Sequence, residues 1–171
     1  EGEILIKGKN VMLGYYEDQE ATDAVLKDGW FNSGDIGYMD KDGFIYITGR
    51  SKNVIVTQNG KNIYPEEIET LLSHVEEISE CMVYGKEVLG EKELVVTARV
   101  IPDYDKIEEL HGVTGEEEVY KVIWEQIKKV NRKLSNYKTV KKLEIKQEQF
   151  EKTSTMKIKR YAELAKDKEQ Q

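Results

Sequence analysis

Between residues 116 and 134 the apolar side chains recur every three or four positions: Val119, Val122, Ile123, Ile127, Val130 and Leu134. This is the helical period, and it lines those residues along one face of a single helix. Glu116, Glu117 and Glu118 fill the first turn, where negative charge suits the positive helix end. Thr114 or Gly115 can cap it. A helix this one-sided must lay its stripe on another apolar surface. The runs around it at 80–84, 94–101 and 140–145 are rich in β-formers, so the expected surface is a sheet.

The rest of the chain is read in the same way. Residues 4–6 form a strand, and 20–26 form a short helix with Asp18 as cap. Residues 29–35 read as a glycine-punctuated loop. Two β-rich runs, 36–39 and 44–48, flank Asp40-Lys41-Asp42-Gly43, a hairpin signal in which Gly43 supplies a positive φ. The polar stretch 49–53 marks a boundary, so the expected domains are 1–50 and 51–171. Beyond it come a strand at 54–56 and an Asn59-Gly60 turn. A helix follows to Leu72, opened by Pro65 at a first-turn position with Glu66 and Glu67 behind it. Strands 80–84 and 94–101 pair across an 85–92 loop. Residues 103–115 and 150–160 read as polar loops, and a terminal helix starts at Tyr161. The fold class is α+β: a small domain of antiparallel or mixed sheet with flanking helices, preceded by a β-rich piece.

Composition narrows the functions. The 171 residues carry a net charge of −7, against the basic excess usual for nucleic-acid binders. The charge is unevenly spread. Residues 1–120 hold 11 Lys and Arg against 26 Asp and Glu, a net of −15, and residues 121–171 hold 15 against 7, a net of +8. The basic tail is either a solvated surface or a surface that meets phosphates. A lone cysteine, Cys81, precludes an internal disulfide and fits a reducing, cytoplasmic setting. No apolar run is long enough to span a membrane, although a peripheral position at one stays open. The opening Glu1-Gly2-Glu3-Ile4 reads like the middle of a longer protein.

Generic catalytic constellations are missing. His74 and His111 have no partner at metal-ligand spacing, so no metal site is expected. Cys81 lies in an apolar strand pattern and reads as a buried thiol. Ser33 lacks the G-x-S-x-G context of a hydrolase, and no G-x-x-x-x-G-K-[ST] phosphate loop exists. Trp30, Tyr38, Phe44 and Tyr46 read as packing in a locally acidic stretch.

Three loops carry a more specific signal: GWFNSGDIGYMDKDGFIYITGR at 29–50, GRSKNVIVTQNGKNIYPEEIE at 49–69 and FEKTSTMKIKR at 150–160. In this order the chain resembles, over essentially its whole length, the carboxyl-terminal third of the adenylate-forming acyl-CoA synthetases, and most of all the bacterial long-chain fatty acid–CoA ligases. The resemblance implies a two-step reaction. A carboxylate attacks ATP to give an acyl-adenylate, then the thiol of coenzyme A displaces AMP, with Mg2+ accompanying ATP. It implies that 1–50 closes a large N-terminal AMP-binding domain, the chain's own missing partner. It implies that 51–171 is a mobile lid with one orientation for each step.

The resemblance also assigns roles. Asp35 would hold the ribose hydroxyls of ATP or AMP, and Arg50 the ribose or phosphate region. Lys52 would be the hinge. Gly60, Lys61 and Asn62 would line the coenzyme A channel, although many family members place Arg where Asn62 stands. Lys157 would be catalytic, reaching the reacting carboxylate and α-phosphate, although Met156 occupies the position before it that is usually Gly. From the residues alone each position has a plainer reading as a turn, a surface ion pair or a solvated lysine. The chain alone, without the acyl pocket, is expected to be inactive on fatty acid. Strand edges in 1–50 could pair two copies artefactually. The alternatives are a phosphate- or nucleic-acid-binding module and an adenylating enzyme that serves a carrier protein.

Overall fold

The computed structural model describes residues 1–88, 90 and 94–169, the last three as backbone. Backbone contacts divide the chain into two compact units, Glu1–Val54 and Ile55–Gln171.

The first unit is a sheet around one long strand. β1 (Gly2–Ile6), α1 (Gln19–Val25) and β2 (Leu26–Lys27) precede β3 (Trp30–Met39), and β4 (Ile45–Arg50) returns from it. β1, β2 and β4 all pair antiparallel with β3. Asp18 caps α1 by accepting a hydrogen bond from the Ala21 N–H at 2.9 Å. Residues 29–35, expected to be a loop, are mostly strand. β1 and β2 supply ladder partners to Phe31, and β1 to Asn32, so pairing overrides the local glycine signal. At the β3–β4 turn the Asp40 carboxylate accepts from the N–H groups of Asp42 and Phe44, both at 2.9 Å, and Gly43 takes φ +87°. Tyr38 and Tyr46 face each other in register and stack at 5.1 Å. Gly37 has no room for a side chain, since a Cβ there would sit 2.4 Å from the Tyr46 carbonyl oxygen.

A 3₁₀ turn at Ser51–Asn53 ends this unit. In the second unit β5 (Ile55–Val56) and β6 (Asn62–Ile63) form a small hairpin, and α2 (Pro65–Leu72) opens with Pro65 in its first turn. β7 (Ile78–Lys86), β8 (Val95–Pro102) and β9 (Lys142–Ile145) form a mixed sheet in which β8 is central, antiparallel to β7 and parallel to β9. The expected 85–92 connection is shortened by β7, which runs on to Lys86, and part of it lies outside the described residues. The β8-to-β9 crossover carries α3 (Tyr104–His111) and α4 (Glu116–Asn131).

α3 lies inside a stretch expected to be a polar loop. Asp103 caps it by accepting from the Lys106 N–H, and Gly112, at φ +67°, ends it. A single fully buried residue, Ile107, seats it, too little for a periodicity to reveal. α4 is the helix that the stripe demanded, ending at Asn131 rather than Leu134. Val119, Ile123, Ile127 and Val130 are buried against Ile68 and Leu72 of α2 and Val83, Val96, Ala98 and Val100 of the sheet. Each such burial stabilises by about 2 kcal/mol relative to exposure.

The opposite sheet face is built differently. Met82 and Tyr84 pack with Phe150, Ile158 and Leu164 of the C-terminal segment. Beside them Glu144 accepts hydrogen bonds from Lys86 (2.6 Å), Tyr84 (2.7 Å) and Arg99 (2.8 Å). Burial alone would raise the Glu144 pKa, but these donors overcome it and hold the carboxyl down at about 2. The last helix, α5 (Arg160–Glu169), lies over this face, where Arg99 donates to the Glu163 carbonyl.

Among the described residues every buried apolar side chain belongs to the second unit. In the first, Tyr38, Met39, Phe44, Ile45, Tyr46 and Ile47 are all exposed. No helix among the described residues is long and apolar enough to cross a membrane.

Candidate functional site

Asp35 and Arg50 are cross-strand partners in β3 and β4, and Arg50 Nη1 lies 3.4 Å from Asp35 Oδ1. Arg50 Nη2 also donates to the Ser33 carbonyl at 3.3 Å. Ser33 fixes the turn, accepting from the Asp35 N–H at 3.1 Å and donating to the Ile4 carbonyl at 2.8 Å. Gly34, at φ +72°, lets the chain bend between them. The sheet thus builds a half-exposed site that pairs a carboxylate with a planar guanidinium. Such a pair can accept from vicinal hydroxyls and donate to phosphate oxygens.

Lys52 lies in the 3₁₀ turn, exposed and without an ion pair among the described residues. The turn is entered from Arg50, in extended backbone at φ −111°, and left at Val54, at φ −57°.

Two turns of the second unit share one design. In Thr57-Gln58-Asn59-Gly60-Lys61 the Thr57 carbonyl accepts from the Gly60 N–H (2.9 Å), the Thr57 N–H donates to the Lys61 carbonyl (3.0 Å), and Thr57 Oγ1 accepts from the Lys61 N–H (3.0 Å). In Thr153-Ser154-Thr155-Met156-Lys157 the same three bonds recur, at 3.0, 2.8 and 3.2 Å. The residue before each lysine is left-handed: Gly60 at φ +70° and Met156 at φ +61°. A Cβ on Gly60 would meet nothing within 4 Å, so its torsion, not crowding, accounts for the glycine. Lys61 lies 4.6 Å over the Tyr137 ring, while Asn62 is exposed in β6. Lys157 is exposed, with no ion pair or side-chain hydrogen bond among the described residues.

Other candidates recede. Burial pushes the Cys81 thiol up to about 12, which keeps it protonated and inert. His111 bonds Glu77 at 2.8 Å, and His74 Nδ1 sits 2.6 Å from the Thr70 carbonyl. No group of three His, Cys, Asp or Glu among the described residues could hold a metal ion. A groove of about 630 Å³ lined by Tyr104, Val119, Tyr120 and Ile145 contains none of the candidate site residues Asp35, Arg50, Lys52, Gly60, Lys61, Asn62 and Lys157. Sequence reasoning missed Gly37 and the partners of Arg160. Arg160 lay inside the third motif, but nothing in the chain's order signals that it meets Glu69.

Residues 52–170 match the family described as AMP-binding enzyme C-terminal domain. The chain belongs to that family. Its curated relatives in the wider adenylate-forming CoA ligase group include the indoleacetate–CoA ligase of Aromatoleum aromaticum, 48% identical over 59% of this chain and 19% of that protein. The long-chain fatty acid–CoA ligase of Bacillus subtilis is 51% identical over 49% of this chain and 15% of its own length. The 2-succinylbenzoate–CoA ligase of Listeria monocytogenes is 45% identical over 50% and 18%. The chain thus spans less than a fifth of each of these relatives. Among solved structures, the o-succinylbenzoate coenzyme A synthetase of Bacillus subtilis, held with ATP and a magnesium ion, aligns at a TM-score of 0.72 and 29% identity, over 94% of this chain and 30% of that one. The anthranilate CoA ligase AuaEII shares the fold at a TM-score of 0.76 and 23% identity, over 96% and 30%.

Proposed function

We propose that this chain is the lid end of an AMP-forming ligase that activates a long-chain fatty acid with ATP and passes the acyl group to coenzyme A. The observation that carries the reading is the exposed ammonium of Lys157, without an ion pair among the described residues, on an ordered hairpin turn. A compact positive charge on a fixed turn suits the stabilisation of charge that develops on phosphate and carboxylate oxygens. The relatives differ in their acid, and one of them is a long-chain fatty acid–CoA ligase.

In the first step a carboxylate oxygen of the acid attacks the α-phosphorus. The new O–P bond replaces the bond to pyrophosphate, which leaves. Lys157 neutralises the charge on the attacking carboxylate and the α-phosphate. Asp35 accepts from the ribose hydroxyls through Oδ2, which has no partner among the described residues, while Arg50 steadies Oδ1 and the phosphate side. In the second step the coenzyme A thiol, losing its proton, attacks the acyl carbonyl and AMP departs. Lys52 is the hinge that exchanges lid orientations. The Gly60, Lys61 and Asn62 turn borders the pantetheine path, where the bare Gly60 leaves room. The exposed apolar residues of the first unit support its membership of a larger N-terminal domain in the parent enzyme.

In the full-length enzyme Lys157→Ala should lower palmitate-dependent ATP–pyrophosphate exchange by roughly 10²–10³-fold, the cost of removing one preorganised donor. Thioester formation from supplied palmitoyl-adenylate should persist. Equal loss of both half-reactions overturns the assignment. The 171-residue chain alone should catalyse no exchange.

A further inference from the structure

The turn that presents Lys157 is strained where it matters. Met156 precedes it at φ +61°, a torsion that L side chains avoid, and its side chain is 71% exposed and gains little from packing. Such a conformation persists only where the surroundings over-determine it.

Those surroundings lie at the base of the hairpin, where Lys152 and Ile158 pair. On one side Lys152 Nζ meets Glu80 of β7 at 2.7 Å. The Glu151 N–H donates at 2.9 Å to Glu163, a fully buried carboxylate whose other oxygen lies 3.5 Å from Lys146 Nζ. On the other side, three residues after Lys157, Arg160 turns inward. Its Nη1 donates to the Val83 carbonyl at 2.8 Å, and its Nη2 grips both carboxylate oxygens of Glu69. Glu69 Oε1 in turn accepts from the Val83 N–H at 2.6 Å. Both polar groups of one β7 residue are thus held by a side-chain pair that joins α2 to the start of α5.

The geometry points to Arg160 and Glu69 as positioning residues that fix the height and direction of Lys157. This rests on the reading of Lys157 as the adenylation lysine. Both Arg160 Nη atoms bond protein atoms, and the side chain is only 20% exposed, so it acts through the hairpin and not on substrate. A reacting group displaced by about 1 Å loses up to roughly a hundredfold in rate.

In the full-length enzyme Arg160→Ala and Glu69→Gln should each lower kcat of palmitate-dependent ATP–pyrophosphate exchange by roughly ten- to a hundredfold, with KM for ATP little changed. Both should spare thioester formation from supplied palmitoyl-adenylate, and Arg160→Lys should recover part of the loss. Glu69→Gln keeps an acceptor for the Val83 N–H, which guards the fold. In the 171-residue chain both substitutions should speed amide hydrogen exchange at Thr153 and Lys157 while leaving α4 unchanged. A Glu69→Gln enzyme with normal exchange kinetics overturns the inference, as does an unchanged hairpin in hydrogen exchange. If Lys157→Ala fails to separate the half-reactions, the reading of the site falls, and the hydrogen-exchange result still decides whether the brace exists.

Discussion

The turns at Thr57–Lys61 and Thr153–Lys157 set the same backbone frame to different uses. The first relaxes it with Gly60 and rests its lysine on the Tyr137 ring. The second forces Met156 into the same torsion, leaves its lysine exposed, and fixes its base with Glu80, Glu163, Glu69 and the Val83 carbonyl. A glycine turn needs no outside support but specifies its geometry weakly, because glycine has many unfolded conformations to lose. A methionine turn specifies it at a cost that the surrounding ion pairs offset. The turn proposed to steer a charge is the one with the stiffer build.

Substitution tests this contrast from both sides. Gly60→Val should be the most damaging, since a β-branched residue at φ +70° costs about 2 kcal/mol even where space is open. The urea midpoint should fall with an unchanged slope. Met156→Gly should act in the opposite sense, raising stability by about 1 kcal/mol as the left-handed penalty disappears. If both substitutions destabilise equally, the two turns are not equivalent frames.

A pH-dependent effect concerns the charged face around Glu144. Glu144 titrates at about 2 when folded, against 4.5 for the ordinary carboxyl. Its contribution is therefore complete above about pH 4.5 and lost as pH falls through about 2. Glu144→Gln should flatten the acid limb of the stability profile across that window, and an unchanged limb would show that the network does not sense the titration.

The sequence revealed what local rules control. The α4 stripe, the Asp40–Gly43 turn, Pro65 at a helix start and the cap at Asp18 each express a propensity or a period within a few residues. Elements that depend on distant partners stayed hidden. β3 became a strand because β1 and β2 supplied its ladder, and α3 formed with one core residue between a cap and a glycine stop. At the candidate site the motifs named Asp35, Arg50 and Lys157, whereas the Glu69–Arg160 pair joins residues 91 positions apart and leaves no local trace. Met156 looked like a missing glycine. The structure shows why a glycine suits that position and what supports its replacement.

The Val83 N–H and C=O turn away from β8, on the free border of β7, an edge strand of the three-stranded sheet. Unclaimed N–H and C=O groups on such an edge invite a strand from another molecule. Here Glu69 takes one and Arg160 the other, so the pair that braces the hairpin also seals the sheet border at its midpoint. One ion pair thus closes this stretch of the sheet border and holds the start of α5. Loosening Arg160 would therefore free the hairpin base and, at the same time, open a seam for self-association.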